Sequence, residues 1–264
     1  PPPAEGRDAR LYCLDSGDNG HLRLKVYQVG GALPLSDAVP ALENFGFRVM
    51  AEVPTRLHGG ELGTIHDFTL ALPNGDKADL LLGRAEAIEE AIACVLNGEA
   101  ENDVFNLLTI GTALSARDAN LLRAFYRYLR QAGLGYTIYT VVDALDRAPA
   151  VTHGLIELFN CMHDPDFSGD RQKAGEQAEA AIQAGLADVV AINDDRLLRL
   201  YRATFRAILR TNTFAPAASE ALAFKLDSAA IPNLPKPLPW REIFVYSRRV
   251  EGIHLRAGPV ARGG

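Results

Sequence analysis

The sequence predicts an α+β fold, and three observations carry this prediction. Segments in which apolar and polar residues alternate, as in half-buried strands, lie near the beginning and the end of the chain. Segments in which apolar residues recur every three to four positions, as in amphipathic helices, fill the middle. Glycine- and proline-rich stretches separate these segments. We therefore expect an α+β unit, then a helical bundle, then a short C-terminal antiparallel β segment.

The first part of the chain is predicted to be a β-α-β-β unit. HLRLKVYQV at 21–29 alternates as a strand, and the runs RVMAEVPTRL and TIHDFTLALP, joined by the turn-forming HGGELG, are typical of a β-hairpin. A helix lies between the strand and the hairpin. This order opens a ferredoxin-like unit, whose fourth strand is either supplied by RLYCLD, ahead of the first strand, or missing from a degenerate unit.

The helix of this unit carries boundary signals at both ends. Ser36 or Asp37 can cap its amino end, and Gly46 is its expected stop. Pro40 lacks a backbone N–H, which costs nothing in the first turn of a helix but kinks it one turn later. We therefore expect the helix to begin after Ser36.

The middle of the chain is predicted to be helical. One helix ends at Gly98, and the run AENDVFNLLTIGTAL continues as helix to about Leu114. Ser115 and Asp118 have the spacing of a capping box at the start of a helix that Gly133 closes. Further helices are expected at 136–147, 150–162, 170–184 and 193–210.

The last part of the chain is predicted to be β structure. ALAFKLD, REIFVYSRR and VEGIHLRAG alternate as strands, with the proline-rich IPNLPKPLPW as a stiff extended connector. We divide the chain into an N-terminal extension (1–19) that can supply one strand, an α+β domain (20–80), a helical domain (81–215) and a β segment (216–264).

Composition excludes several classes of protein. The 264 residues are 48% hydrophobic, an ordinary globular composition, and carry a formal net charge of −6, so no nucleic-acid partner is expected. No apolar run approaches ~18 residues, so no membrane span is expected. Cys13, Cys94 and Cys161 lie far apart and without metal-ligand spacing, which predicts neither disulfides nor a metal site and favours a cytoplasmic protein.

Catalytic patterns are scarce. None of the six histidines has metal-ligand spacing, and His66 and Asp67, neighbours in a predicted strand, point to opposite faces. No glycine-rich dinucleotide motif is present, so we predict that this chain alone binds no NAD and is inactive. FYRYLR has the residue types of a nucleic-acid face, but its three-to-four spacing favours a helix with one buried and one solvated face.

The tail GPVARGG is an exception to this scarcity. Gly263 and Gly264 follow Arg262 shortly after a strand, where a backbone can approach a ligand closely and an arginine can bind a carboxylate through two N–H groups. A plain terminal loop is the alternative interpretation. We take Arg262, Gly263 and Gly264 as candidate substrate-binding residues.

Several stretches of the chain together resemble one family. LPLSDAVPALENFGFRV, GTIHDFTL, LLRAFYRYLRQAG, FKLD and EIFVYSRRVEGIHLRAGPVARGG look like the large bacterial NAD-dependent glutamate dehydrogenases, whose chains are several times longer. The resemblance implies a fragment that lies upstream of the catalytic domain and enters it. The implied reaction of the whole enzyme is oxidative deamination of L-glutamate to 2-oxoglutarate and ammonia, with NAD as the cofactor.

The opening unit also resembles an ACT domain, a ferredoxin-like module that binds amino-acid effectors at the loop after its first strand and pairs with other modules. Gly30 and Gly31, with Ser36 and Asp37 at the helix start, take the place of that loop, which implies an effector or interface loop in a homo-oligomer. At the tail, smaller glutamate dehydrogenases carry a Lys-Gly-Gly run that contacts substrate. The run 262–264 resembles it, with arginine in place of lysine.

Three functions stay open at this point. The first is a non-catalytic regulatory or assembly fragment of a glutamate dehydrogenase, with the rest of the same polypeptide as its partner. The second is a free-standing amino-acid sensor, which needs a ligand pocket at Gly30 and Gly31. The third, a small complete enzyme, is disfavoured because no set of acid, base and cofactor motif is present.

Overall fold

A computed structural model describes residues 6–14, 22–72 and 78–260 of the chain. Its contacts divide the chain into two compact units, Pro1–Ala119 and Asn120–Gly264. Each unit contains an antiparallel sheet and helices. The predicted α+β fold class is confirmed.

The first unit contains four strands and four α-helices among its described residues, with short 3₁₀ turns at His58–Gly60 and Val104–Asn106. In chain order the elements are β1 (Arg7–Cys13), β2 (Leu22–Gln28), α1 (Leu35–Asn44), β3 (Arg48–Leu57), β4 (Gly63–Ala71), α2 (Ala78–Leu82), α3 (Ala85–Leu96) and α4 (Leu107–Gly111).

The sheet of the first unit is antiparallel throughout, in the order β1-β2-β4-β3. The predicted β-α-β-β order is present as β2-α1-β3-β4, with β3 and β4 as the hairpin. The RLYC part of the run proposed as a fourth strand lies in β1, which pairs with β2, and α3 packs against β1 and α1. The unit is therefore a ferredoxin-like fold in which the strand that usually comes last comes first in the chain.

Packing joins segments that the sequence analysis separated. β1 lies in the proposed extension (1–19) and α3 in the proposed helical domain (81–215), yet both belong to the first unit. Together they complete the sheet and its helical layer, so the unit uses residues from both sides of the proposed 20–80 domain. Local periodicity shows the type of an element but not the neighbour against which it packs.

Side chains seal the outer edge of β1. The Asn97 side chain bonds the N–H and the carbonyl of Arg7, each at 2.9 Å. Glu89 accepts from the Leu11 N–H at 2.7 Å, and both backbone groups of Ala9 bond neighbouring side chains. At the opposite edge, β3 is largely exposed, and no described strand pairs with its outer side. The sheet therefore has one sealed edge and one open edge.

The start and the cap of helix α1 differ from those expected. It begins at Leu35 after Pro34, whose carbonyl accepts the first helical bonds, and no side chain caps it. Ser36 and Asp37 lie inside its first turn, so neither is the N-cap. Because the helix starts early, Pro40 lies in its interior instead of its first turn.

Three helix ends were predicted correctly, and one predicted helix was wrong. Gly46, Gly98 and Gly133 are confirmed as stops: each has positive φ directly beyond a helix. The expected helix from 100 to about 114 is wrong, since only a 3₁₀ turn and the short α4 lie there. Ala113 has φ +58°, a left-handed conformation in which the helix cannot continue.

The second unit consists of a helical layer followed by a sheet. In chain order the elements are α5 (Ala116–Gln131), α6 (Ile138–Arg147), α7 (Pro149–His163), α8 (Arg171–Ala187), α9 (Ile192–Arg206), β5 (Ile208–Thr211), β6 (Leu222–Leu226), β7 (Arg241–Tyr246) and β8 (Glu251–Arg256). The sheet is antiparallel in the order β5-β6-β7-β8. The three predicted strands are confirmed as β6, β7 and β8. The helix expected to reach 210 ends at Arg206, because the next residues pair with β6 as strand β5.

Helix α5 is buried between α9 and the sheet. The Phe125 ring lies 4.8 Å, between centroids, from Phe205 of α9 and 4.8 Å from Phe224 of β6. The Tyr128 ring lies 5.5 Å from Phe244 of β7. Of FYRYLR only the last residue is exposed, so the solvated face predicted for this helix is narrower than expected. The helix packs on both sides, against α9 and against the sheet, and this leaves less of its surface exposed to solvent.

A buried polar pair joins this helix to the sheet. The Tyr128 hydroxyl donates to the Glu242 carboxylate, and both residues are buried. Burial, together with the adjacent carboxylate, raises the pKa of Tyr128 above its ordinary value. The phenol therefore stays protonated and keeps its donor role.

Candidate functional site

The loop between β2 and α1 carries two glycines in a conformation that other residues disfavour. Gly30 has φ +69° and Gly31 has φ +74°, both in the left-handed region. Glycine is therefore required here for the path of the backbone.

Side chains of β2 and β4 hold the carbonyl side of this loop. Gln28 donates to the carbonyls of the next two residues at 3.0 and 3.2 Å, and Thr64 donates to the Gly31 carbonyl at 2.8 Å. Among the residues that the structure describes, none accepts from the N–H groups of 30–32. The loop therefore presents a set of N–H donors, which suits a carboxylate or the backbone carbonyls of a partner.

His66 ties the loop to the edge strand. Its Nε2 accepts from the Leu33 N–H at 3.0 Å, and its Nδ1 lies 2.8 Å from Oε1 of Glu52 on β3. A ring nitrogen that accepts carries no proton, so this geometry places the proton on Nδ1, from which it is donated to Glu52. His66 and Leu33 are buried. Hydrogen bonds thus run from β3 through β4 to the loop.

Exposed apolar side chains lie at the same end of the sheet as the loop, and we call them its apolar surround: Val29 (40% exposed), Leu35 (48%), Leu57 (37%) and Leu62 (62%). Gly63, the first residue of β4, lies close to the backbone at the end of β2. A Cβ at Gly63 would lie 2.1 Å from a β2 carbonyl oxygen, so no larger residue fits there without a shift of the backbone. N–H donors within an apolar surround can hold the carboxylate and side chain of an amino acid, or contact another protein surface.

Ser36 and Asp37 lie next to this loop but do not complete it. Both are exposed on the first turn of α1, where the Ser36 Oγ lies 3.3 Å from a carboxylate oxygen of Asp37. In the described part of the chain, no hydrogen bond joins either side chain to the donors at 30–32. The structure thus brings Gly30 and Gly31 together as one loop and leaves the other two residues at its side.

Sequence reasoning missed the residues that shape the loop. Gln28, Thr64 and His66 are polar residues on buried positions of strands, where the alternation calls for apolar ones. That mismatch was the available signal. A polar side chain on the buried face of a strand needs a hydrogen-bond partner, and here the partners are backbone groups of the loop and Glu52.

The candidate residues of the tail, Arg262, Gly263 and Gly264, lie outside the described residues. The strand expected before them is present as β8, which ends at Arg256. Their role as substrate-binding residues stays a prediction.

Other chemistry-bearing groups are engaged in structural contacts. Asp67 lies on the opposite face of the strand from His66, where it accepts from Tyr12 at 2.6 Å and Arg23 at 3.1 Å. Burial raises the pKa of the Cys94 and Cys161 thiols, which disfavours the reactive thiolate. Within the described ranges no cluster of His, Cys, Asp or Glu could hold a metal ion, and no helix is long and apolar enough to span a membrane.

Three family models match successive parts of the chain. They are "Glutamate dehydrogenase, ACT3 domain" at residues 7–81, "Glutamate dehydrogenase, helical motif 3" at 100–165 and "Bacterial NAD-glutamate dehydrogenase, catalytic domain" at 181–264. The first match begins at β1, and the third begins within α8. The chain thus carries, in this order, segments similar to an ACT domain, a helical motif and a catalytic domain of glutamate dehydrogenases.

Three curated relatives are similar to nearly the whole chain, and each is named NAD-specific glutamate dehydrogenase. The chain is 40% identical to the Halomonas elongata protein over 261 residues, which is 96% of this chain and 16% of that protein. It is 39% identical to the Pseudomonas aeruginosa protein (92% and 16%) and 35% identical to the Mycobacterium tuberculosis protein (97% and 16%). The chain is thus similar to one segment of these glutamate dehydrogenases, and it spans 16% of their length.

Proposed function

We propose that this chain is a non-catalytic regulatory and assembly segment of a cytoplasmic NAD-dependent glutamate dehydrogenase. The whole enzyme converts L-glutamate, NAD and water into 2-oxoglutarate, ammonia and NADH. One observation carries the proposal: matches to an ACT domain, a helical motif and a catalytic domain follow one another along a chain that spans 16% of its relatives. The partner of the segment is then the rest of the same polypeptide.

NAD binds, in this proposal, to residues outside the chain. A common dinucleotide site lies beside adjacent parallel strands that a helix connects. In the part of the chain that the structure describes, all neighbouring strands are antiparallel, so the residues present do not fit this type of site. This topology, together with the missing glycine-rich motif, supports the assignment of the chain to a non-catalytic role.

The absorbance of NADH tests the inactivity of the segment. The purified chain is incubated with L-glutamate and NAD beside the full-length enzyme at the same molar concentration. We expect NADH formation from the full-length enzyme and none above a blank from the chain. NADH formation by the chain at a rate that scales with its concentration would contradict the proposal.

The loop at Gly30 and Gly31 is, in this proposal, a contact between subunits or domains in a homo-oligomer, and Ser36 and Asp37 flank it. Its N–H donors and apolar surround support this role. The variant Gly31→Val tests it, with Gly133→Val in the second unit as a matched control. The two glycines have φ +74° and +87°, and a Cβ at either meets nothing within 4 Å, so the two variants carry similar backbone strain.

Sedimentation separates the two variants. We expect Gly31→Val to dissociate the oligomer and Gly133→Val to leave it intact. If both variants sediment alike, the loop is a simple turn and the assembly role is refuted.

A free-standing or built-in amino-acid sensor is the second candidate function. The donors at 30–32 favour it because they suit an α-carboxylate. Thermal melting of the chain with and without each of a panel of free amino acids measures it. A melting shift that Gly31→Val abolishes and Gly133→Val preserves would establish sensing, and the absence of any shift would exclude it.

We further propose that Arg262, with Gly263 and Gly264, binds a substrate carboxylate in the whole enzyme. The catalytic-domain match, which extends over these residues, supports this role. Arg262→Ala removes a charge-assisted pair, a loss of roughly 2 to 4 kcal/mol. This corresponds to about thirty-fold to several-hundred-fold in kcat/KM for glutamate. Arg262→Lys keeps the charge and is expected to lose less, and near-native kinetics for both variants would exclude the role.

A further inference from the structure

The sheet of the second unit has one buried face and one cationic face. On β6 and β7 alternate residues are buried, and the residues between them point to the other side. The register places Arg210 opposite Lys225, and Arg241 opposite Arg256. We define the cationic face as Arg210, Lys225, Arg241 and Arg256.

Trp240 lies beside three of these cations. Its ring centroid lies 4.7 Å from the Arg241 guanidinium carbon, 5.8 Å from that of Arg256 and 5.9 Å from the Lys225 ammonium. Each cation contacts the indole within the range of a cation–π interaction. Three cations thus share one ring that is 36% exposed.

The charge of this face is poorly balanced. Asp227 pairs with Arg241 at 2.9 Å, and in the described part of the chain no carboxylate pairs with Lys225, Arg256 or Arg210. Like charges directly opposite one another on neighbouring strands destabilise a sheet. The chain as a whole is acidic, with a formal net charge of −6, so this positive face is a local feature.

The dimensions of the face favour an extended ligand over a single anionic group. The cations lie on all four strands, and three strand spacings of ~4.8 Å give a width of about 14 Å. One carboxylate or phosphate group cannot contact charges spread over that width. A polypeptide segment with several Asp or Glu residues can.

We propose that the cationic face is a docking surface for an acidic segment of the remaining polypeptide, an inference that rests on the proposed function because it requires a longer enzyme. The relatives supply ample chain for this, since the present chain spans 16% of their length. Carboxylates of the segment neutralise Lys225, Arg256 and Arg210, and an apolar residue of the segment covers Trp240. Docking relieves the repulsion between the cations, and it excludes water from the indole.

Trp240 is the sole tryptophan of the chain, so its fluorescence reports this face directly. The chain is titrated with an oligoglutamate peptide, with an oligoserine peptide of equal length, and with inorganic phosphate. We expect oligoglutamate to change the emission, added salt to weaken its binding, and the other two probes to have no effect. An unchanged emission with oligoglutamate, or tighter binding of phosphate, overturns the proposal.

Charge-removing variants localise the binding. Lys225→Met and Arg256→Met are each expected to weaken oligoglutamate binding about two- to fivefold, the range of single exposed ion pairs. Lys173→Met, an exposed change on α8, is the matched control and leaves the affinity unchanged. Circular dichroism verifies that each variant is folded. Equal affinities in all three variants would show that binding occurs elsewhere.

The occupant is identified in the full-length enzyme. A carbodiimide couples the Lys225 amine only to a carboxylate in direct contact, and mass spectrometry locates the product. We expect coupling to an Asp or Glu outside residues 1–264, and none in Lys225→Arg. Coupling within 1–264, or no coupling, refutes the docking proposal, whereas the proposed function fails independently if the chain alone forms NADH.

Discussion

Removing the His66 imidazole is expected to destabilise the first unit and release the glycine loop. In His66→Leu the Leu33 N–H loses its acceptor and Glu52 loses its donor. The Leu33 N–H is buried and has no water to replace the bond, whereas the Glu52 side chain is 13% exposed and reaches solvent more easily. At about 1 to 3 kcal/mol for the buried Leu33 N–H and about 1 kcal/mol for the more exposed Glu52 carboxylate, the two losses sum to roughly 2 to 4 kcal/mol.

Two control variants are expected to cost less than this value. Glu52→Gln keeps an oxygen that accepts from Nδ1, so it is expected to cost below about 1 kcal/mol. His254→Leu makes the same change of residue type at an exposed position and is expected to stay within about 0.5 kcal/mol of the native stability.

Amide hydrogen exchange is the suitable assay, because the sole tryptophan lies in the second unit and does not report the first. Peptides that cover β4 give the opening free energy of the first sheet, and a peptide that covers 29–34 reports the loop. We expect faster exchange in both peptides for His66→Leu. Equal exchange in His66→Leu and His254→Leu would refute the argument that this imidazole holds the loop.

Three more changes test the second unit by urea unfolding with Trp240 fluorescence. Replacing Tyr128 by Phe leaves the buried Glu242 carboxylate without its donor and is expected to cost about 1 to 3 kcal/mol. Gly185→Ala places a Cβ 2.8 Å from a side-chain carbon of α7 and is expected to cost about 1 to 3 kcal/mol, because the two helices must separate. Burial, and then a neighbouring arginine, lower the pKa of His163 below 6.5, so the unfolded chain binds this proton at higher pH. Stability is therefore expected to fall as the pH drops through 6.5, and His163→Phe is expected to flatten that fall. If the native protein and His163→Phe had the same pH profile of stability, the pH dependence could not be assigned to His163.

The elements that sequence predicted well are those whose pattern and boundary signals agree. The hairpin of β3 and β4 has two alternating runs around a glycine turn, and Gly46 stops α1 where the apolar stripe ends. The end of α9 was missed because the pairing of β5 with β6 decides it, and that pairing is not local. The place of α3 beside β1 was missed for the same reason: their contact joins distant parts of the chain.

The candidate loop was predicted only in part. Gly30 and Gly31 were visible because only glycine adopts left-handed φ at little cost, so their positions carry conformational information. The role of His66 was not visible, since its partners, the Leu33 N–H and Glu52, come from two other segments that only the folded sheet brings together. A lone histidine in a strand has no sequence pattern that marks such a bridge.

The sealed edge of the first sheet limits how large an assembly built through that sheet can become. Any added strand joins beside β3, because Asn97 and Glu89 already occupy the outward groups of β1. When two copies join at β3, both available edges are used and a two-fold dimer closes, with no place for a third copy. A sheet with two free edges would instead keep recruiting copies into a filament. Helix α3 and its C-cap residue Asn97 thus block strand addition at β1, and the helix also packs against the sheet.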